Sequence, residues 1–554
     1  MRSLPLTSLG FVGAVLLTGA AAAQTYTIGT LTPFDTAADD LIGSAVDLSG
    51  DTVVLGGYGH DHLGVGGTGG AWIFERSPGG AWLETTELHP SDQPANARFG
   101  YAVAVDGDVA IVGAPRDDTS FNDGGSAYVF ERQGDGTWLE MQKLEASDVA
   151  NGWDFGNSVE IEGDRILVGS PGSISYFERS GAGYVFERQP DDSWAEVAKL
   201  DLDDALGNDE MGHDASLSGD RVILGAHLQD DNGGSSGAAY VFARQPDGTW
   251  AFEQKLLASD GAAIDYFGYS VAISGDLAVS GARLHDDPGN GDGAAYIYER
   301  QPDGTWLEIR KLIAPSEKPT HFGHSVAIDG GAVLIGAIHE IVGFHIDSGA
   351  AHLWVRDTAG DFQYAQYLTY SEPDSDQNFG HCVAMDGGRV VVGSSDNDFI
   401  ASNGGLAQVF YSYAAAGEVG VTSQGTGTPG CDGPQTMGMT QPPFLGSQAF
   451  AFTCDNAPAS SLGFLGLGTG ADPAGTDYGL GFLMHIDPLS STLILAGFQS
   501  DAAGDAEFPV AIPATPTLAG TTWHAQSVWT WTSCALPPLG FSSSDLMTFA
   551  FLQP

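Results

Sequence analysis

The chain has 554 residues, with 71 acidic residues against 20 basic ones and a formal charge of −51. That length is too great for one ordinary core and points to at least two domains. That charge repels phosphate backbones and anionic headgroups, which excludes nucleic acid and acidic membrane surfaces as partners and favours cations and neutral or basic ligands. Hydrophobic residues make up 42% of the chain and recur regularly, so the acidity belongs to the surface of a folded protein rather than to a disordered one.

Residues 1–23 have the features of a signal peptide. Arg2 precedes an apolar stretch from Leu9 to Leu17, and the small residues Ala21 and Ala23 fit a cleavage site before Gln24. No later stretch has the ~20 apolar residues that a membrane-spanning helix needs. The expectation is an exported protein, secreted or held at the cell surface.

From residue 24 to 415 one unit recurs. It opens at Ile42, Phe99, Phe155, Met211, Phe267, Phe322 and Phe379, each followed by Gly, and these starts lie 55 to 57 residues apart. Seven copies at near-constant spacing define a repeat protein. Each unit resolves into four strands. Strand A alternates after Phe-Gly, as in Ser270 to Ser274. A tight turn such as Gly275-Asp276 or Asp106-Gly107 supplies the positive φ of a two-residue hairpin. Strand B runs into Gly-Ala, as at Gly113-Ala114. After a longer loop comes strand C (Ala127 to Arg132, Gly183 to Arg188), and a turn such as Gln301 to Gly304 leads to strand D (Trp306 to Leu312). Four short antiparallel strands repeated seven times predict a seven-bladed β-propeller, in an all-β protein.

Seven C strands have only six D strands in line, opening at Trp82, Trp138, Trp194, Trp250, Trp306 and Phe362. In the complete units strand D ends on a Leu eleven residues before the next Phe-Gly, as Leu144 precedes Phe155, and Leu31 stands eleven residues before Ile42. Thr25–Leu31 is therefore expected to complete the blade of the last C strand and close the ring. The periodic Trp residues are expected to pack between blades, and the Glu-Arg pairs of strand C to bond across strands.

These motifs resemble the bacterial FG-GAP repeats and, more distantly, the propeller of integrin α-subunits, over roughly residues 25–415. The resemblance implies extracellular binding or adhesion rather than catalysis. Integrin-type repeats often carry a calcium loop between the Phe-Gly and Gly-Ala-Pro strands. Here that connection is only a short turn such as Asp106-Gly107-Asp108, so the calcium role does not carry over to it.

Antiparallel geometry puts the A–B and C–D turns on one face and the longer B–C and D–A loops on the other, where binding normally falls. The B–C loops are acidic: Asp117, Asp118 and Asp123; Asp230 and Asp231; Asp286, Asp287 and Asp292. These carboxylates are the candidate Ca²⁺ ligands, since Ca²⁺ takes six to eight oxygens, although no single loop matches an established calcium motif and no other cofactor is indicated. His213, His324 and His381 share one repeat position and are expected to line the mouth of the channel. No catalytic motif is present.

Residues 416–430 read as a linker and 431–554 as a small C-terminal β-sandwich, from short apolar runs separated by Gly, Pro, Asp and Ser. Its Asp501 to Ala514 stretch looks like C-terminal modules of diverse secreted bacterial proteins. Three of the four Cys lie here, and Cys454–Cys534 is the expected bridge, with Cys382 a buried free thiol. The expected function is non-enzymatic binding or adhesion through the acidic loop face, calcium-assisted, toward an extracellular protein or polysaccharide. The alternatives are a structural surface or envelope component with no discrete ligand, and a propeller enzyme acting on polysaccharide.

Overall fold

The computed structural model describes residues 25–412, apart from 78–80, 119, 173–179, 203–208, 287–290, 316–319 and 358, and only strand segments beyond 412. The leader expected over residues 1–23 and the linker expected over 416–430 lie largely outside the described residues. Among those described, no helix is long and apolar enough to cross a membrane.

Seven antiparallel sheets of four strands follow one another along the chain, each in the order A-B-C-D. Blade 1 consists of Ala45–Ser49, Thr52–Gly57, Gly70–Arg76 and Trp82–Leu88. In every A–B hairpin the register leaves two residues in the turn, as where Ser49 pairs with Thr52 and Asp106 with Val109. The first turn residue is a Gly at positive φ, 55° at Gly50 and 57° at Gly107, the conformation only glycine reaches without steric cost.

The seventh sheet is not sequential. Its order places Thr25–Leu31 beside Leu406–Ser412, with Leu31 opposite Ala407 and Thr25 opposite Ser412. The N-terminal strand thus supplies strand D of blade 7, and Leu31 is fully buried there. Parallel bridges join the residue before each strand C to the start of the next blade, from Gly69–Phe99 through Gly349–Phe379, and Gly405–Ile42 completes the circle.

The core lies between neighbouring sheets. Val54, Ile73 and Leu88 of blade 1 pack with Phe99, Val103, Val112, Phe130 and Trp138 of blade 2. The Phe of Phe-Gly sits edge-on to its own strand C aromatics, with ring centroids of Phe99 5.5 Å from Tyr128 and 6.0 Å from Phe130, the arrangement ring quadrupoles prefer. Trp138, Trp194, Trp306 and Phe362 are buried in these inter-blade cores, as their periodicity predicts.

The two motif glycines have a steric cause. A Cβ on Gly113 would stand 2.0 Å from the carbonyl oxygen of Gly156 in the next blade, and the same approach recurs from Gly56–Gly100 to Gly393–Gly43. Glycine after Phe and glycine before Ala let adjacent blades touch backbone to backbone.

The Glu-Arg pairs of strand C correct the expectation. Four of these Arg reach a Glu of the preceding blade's strand C: Arg132 to Glu75 at 2.9 Å, Arg188 to Glu131 at 3.0 Å, Arg244 to Glu187 at 3.0 Å and Arg356 to Glu299 at 2.9 Å, while Arg76 of blade 1 pairs with Asp51 of its own A–B turn at 3.7 Å. Neighbouring C strands run side by side around the ring, so equivalent positions on adjacent blades meet. Blade 4 has Ala243 in place of the Glu, and Arg300 turns to Glu253 of strand D at 2.7 Å.

Beyond Ser412, Ala451–Asp455, Leu462–Gly468, Leu493–Gln499 and Leu546–Ala550 fall on the apolar runs. Leu462–Gly468 pairs with Leu493–Gln499 and with Thr522–Thr530, and Thr522–Thr530 pairs in turn with Leu546–Ala550. The packing expected of a sandwich, and the Cys454–Cys534 bridge, rest on side chains outside the described residues.

Candidate functional site

The inner A strands of all seven blades enclose an axial channel of about 450 Å³. Where strand A ends, the seven blades are stitched in a closed circuit. The last A-strand side chain of each blade accepts a hydrogen bond from the turn glycine amide of the next. Gly107 N–H donates to Ser49 Oγ (3.1 Å), Gly163 to Asp106 (2.7 Å) and Gly219 to Glu162. The circuit continues from Gly275 to Ser218 (3.2 Å), Gly330 to Ser274 (3.2 Å) and Gly387 to Asp329 (2.9 Å), and closes with Gly50 to Asp386 (2.6 Å).

Midway along the channel stand three carboxyls. Burial pushes Asp47 up to about 7, Asp214 up to about 6 and Glu160 well above the usual carboxylate range. Asp47 accepts the Val105 amide at 2.7 Å and Asp214 the Val271 amide at 2.8 Å, each in the following blade. Cys382 is a free thiol on strand A of blade 7, with burial pushing it up to about 12. The thiolate is the nucleophile, so this Cys is inert at neutral pH.

At the loop-side mouth the residue after Phe-Gly projects inward, and the three expected histidines meet there with Tyr269. Ring centroids run from His213 to Tyr269 at 4.8 Å, Tyr269 to His324 at 5.2 Å and His324 to His381 at 5.1 Å. Burial holds all three imidazoles neutral, with His213 lowered to about 4. Arg283 lies 3.8 Å over the Tyr269 ring, a cation–π contact. The mouth is a collar of imidazole and phenol rings with one guanidinium packed on it, the polar lining expected of these positions.

The eight carboxylates expected as calcium ligands fall in blades 2, 4 and 5, and the structure does not bring the three groups together. Asp117 is buried and bonded to Ser126, Tyr128 and Lys143, the last at 2.6 Å. Asp231 pairs with Lys255 at 2.5 Å. Asp118 accepts the Asp123 amide at 2.7 Å, Asp230 the Ser235 amide at 2.7 Å and Asp286 the Gly291 amide at 2.6 Å. These three close their loops in the same way, five residues on. The Asp292 carbonyl accepts from Thr320 Oγ1 at 2.7 Å, and Asp287 lies outside the described residues.

Two features of this face escaped the sequence reading. The first is a row of apolar tips on the acidic loops. Phe344 is 99% exposed, Phe34 91% and Leu63 79%, and Ile346, Phe399 and Ile400 are also exposed. All six stand on loops of blades 6, 7 and 1, which are consecutive around the ring; on the same face Ile264, between blades 4 and 5, and Phe121 of blade 2 are exposed as well. The second is a cluster of His60, His62 and Glu87 in blade 1. Alignment of the copies offers a signal for it, because Glu87 stands where blades 2 to 5 have Lys143, Lys199, Lys255 and Lys311.

The FG-GAP repeat family matches residues 27–74, 82–130, 138–186, 194–242, 250–298 and 363–410, together more than half of the chain. The chain belongs to the FG-GAP repeat family. Each matched segment opens on strand D of one blade and ends in strand C of the next, so the first spans the ring closure itself. The match passes over the copy that begins at Phe322, although blade 6 has the same four strands. Human integrin alpha-E is 28% identical over 289 residues, covering 47% of this chain and 24% of that protein. The FG-GAP propeller therefore spans about a quarter of that relative's length. The likeness supports a ligand-binding or adhesion type of role for this propeller.

Proposed function

We propose that this FG-GAP propeller is a secreted, non-enzymatic binding or adhesion protein that takes an extracellular protein ligand on its B–C/D–A loop face. The observation that carries this reading is the arc of exposed apolar side chains on blades 6, 7 and 1, headed by Phe34, Phe344 and Phe399. Apolar side chains fully exposed on acidic loops cost solubility unless they meet a partner, and contiguous exposed apolar surface rimmed by polar residues marks interaction sites. The acidic rim selects against acidic partners and speeds encounter with basic ones. Asp47 and Asp214 are engaged by amides of neighbouring blades, which supports a structural use of the channel acids over a catalytic one.

The test is binding of the purified protein to a panel of extracellular-matrix proteins and polysaccharides. It compares the native chain with a Phe34→Ser/Phe344→Ser/Phe399→Ser variant of unchanged melting temperature. The expected result is a protein partner held by the native chain and released by the variant. Equal binding by both, or selective binding of polysaccharide through other residues, overturns the reading. Calcium assistance is tested by calorimetry with Ca²⁺ against Mg²⁺. A calcium-specific rise in melting temperature that grows with concentration establishes native-state sites. An equal response to both ions, or none, leaves Asp118, Asp230 and Asp286 as closures of their own loops.

A further inference from the structure

In blades 2, 3 and 5 the loop-side end of strand D carries an ammonium held by an Asp of the D–A loop. Lys143 Nζ lies 2.7 Å from Asp92, Lys199 Nζ 2.8 Å from Asp148 and Lys311 Nζ 2.8 Å from Asp260. The first residues of the B–C loop complete the cage. Asp117 does so in blade 2, and His285 in blade 5, where its Nε2 is 2.9 Å from Lys311 Nζ.

Blade 1 keeps the cage and loses the cation. Asp35, four residues after Leu31, stands where Asp92 follows Leu88 and Asp148 follows Leu144. His60 stands where blade 2 has Asp117 and blade 5 has His285. Glu87 replaces the Lys, and the loop adds a second imidazole, His62. A position filled by an ammonium elsewhere in the ring is thus surrounded only by electron-pair donors.

The donor atoms converge. His62 Nδ1 is 2.9 Å and His60 Nε2 3.6 Å from Glu87 Oε1, and Asp35 Oδ2 is 3.9 Å from His60 Nε2. The ligand atoms of His60, His62 and Glu87 all lie within 4.8 Å of one another. A tetrahedral ion with metal–donor bonds of ~2.0–2.1 Å needs donors about 3.3 Å apart, so the 2.9 and 3.6 Å from Glu87 to the two imidazoles bracket the requirement for those two pairs.

The surroundings suit the role as well. Both imidazoles are nine-tenths buried or more, and Asp40, itself buried, lies 3.3 Å from the other ring nitrogen of His60. A carboxylate behind a ligating imidazole fixes its tautomer and raises its basicity. The His89 ring stacks on His62 at 4.3 Å and closes its far side.

We infer that His60, His62 and Glu87, with Asp35 as the fourth ligand, form a site for a divalent transition-metal ion, Zn²⁺ foremost, which occupies in blade 1 the place taken by the lysine ammonium in other blades. Two imidazole nitrogens with carboxylate oxygens suit Zn²⁺ and its first-row neighbours and disfavour Ca²⁺ and Mg²⁺, which want oxygen ligands alone.

The test is titration of the chelator-stripped full-length protein with Zn²⁺, Ca²⁺ and Mg²⁺, together with the visible spectrum of the Co²⁺ form. The expected result is one Zn²⁺ per chain, a tetrahedral Co²⁺ spectrum, and affinity weakened at least ~10-fold by His62→Ala. Glu87→Lys restores the ammonium of the sibling blades and should fold with an undiminished melting temperature while binding no Zn²⁺. His324→Gln, in the channel mouth, should bind as the native chain does. The inference is overturned if the native chain binds no Zn²⁺, if Glu87→Lys and His62→Ala bind it unchanged, or if His324→Gln abolishes binding.

Discussion

The two glycines of the repeat act by what they leave out. At Gly113 the neighbouring carbonyl of Gly156 occupies the space a methyl group would need, and the contact is backbone against backbone, with no flexible side chain to yield. Gly113→Ala should therefore destabilise the propeller by roughly 1–3 kcal/mol or more, the usual cost of overpacking. Gly134→Ala, in an open C–D turn with nothing within 4 Å of the added carbon, should be neutral or stabilising by about 0.4–1 kcal/mol through the unfolded chain. Denaturant unfolding of the two variants checks the contrast, and equal effects would show that the inter-blade approach is not what fixes glycine there. At this scale the sequence was legible wherever a residue repeats. It was less so where a partner comes from the next blade, because Glu131 and Arg132 adjoin in the chain and yet bond to different neighbours.

Among the elements, strand D of blade 7 is distinctive, because it comes from the opposite end of the chain. Its position could be inferred from one spacing, Leu31 to Ile42, since the geometry of strand D, loop and strand A is the same in every blade. Leu31→Ala should cost about 2–5 kcal/mol, as for other fully buried leucines. Removing Thr25–Leu31 leaves Leu406–Ser412 as an open edge. The truncated chain should melt lower, and proteolysis should begin in blade 7. A peptide of sequence Thr25 to Leu31 added in excess should raise the midpoint in proportion to the logarithm of its concentration. No response to the peptide would mean that the strand docks only as part of the continuous chain. The loops were the least legible elements. Their Asp residues read equally well as ligands or as turn formers, and only the geometry shows Asp118, Asp230 and Asp286 each bonded to an amide of its own loop.

For the molecule as a whole, ionisation of the channel acids and the net charge act in the same direction. Asp47 and Asp214 hold protons up to about 7 and about 6 in the folded state, against ~4 for an exposed Asp. Through these two carboxyls the folded chain binds more protons than the unfolded one between those limits, so their contribution to stability falls as pH rises, while the buried imidazoles of His213, His324 and His381, lowered in the folded state, contribute in the opposite direction. Growing self-repulsion from a charge of −51 adds to the fall. Asp47→Asn/Asp214→Asn should remove the carboxyls' contribution, so that the melting temperature of the double variant gains on that of the native chain between about pH 4 and pH 7. A constant difference between the two across that range would show that these carboxyls do not titrate there. The seven-fold plan was the most legible level of all, because a period repeated seven times outweighs the noise of any single copy. The blade 1 cluster was the least, because it is an exception that shows only when one copy is laid over the others.

The pairing of Thr25 with Ser412 settles which way the propeller faces when it is held by either end. Strand C leaves the loop face and finishes at the tight turns, and strand D begins there. The chain therefore enters and exits side by side at the rear of the disc, within one blade. A tether fused at either position restrains the same point and directs the apolar arc of blades 6, 7 and 1 away from the support, into the medium.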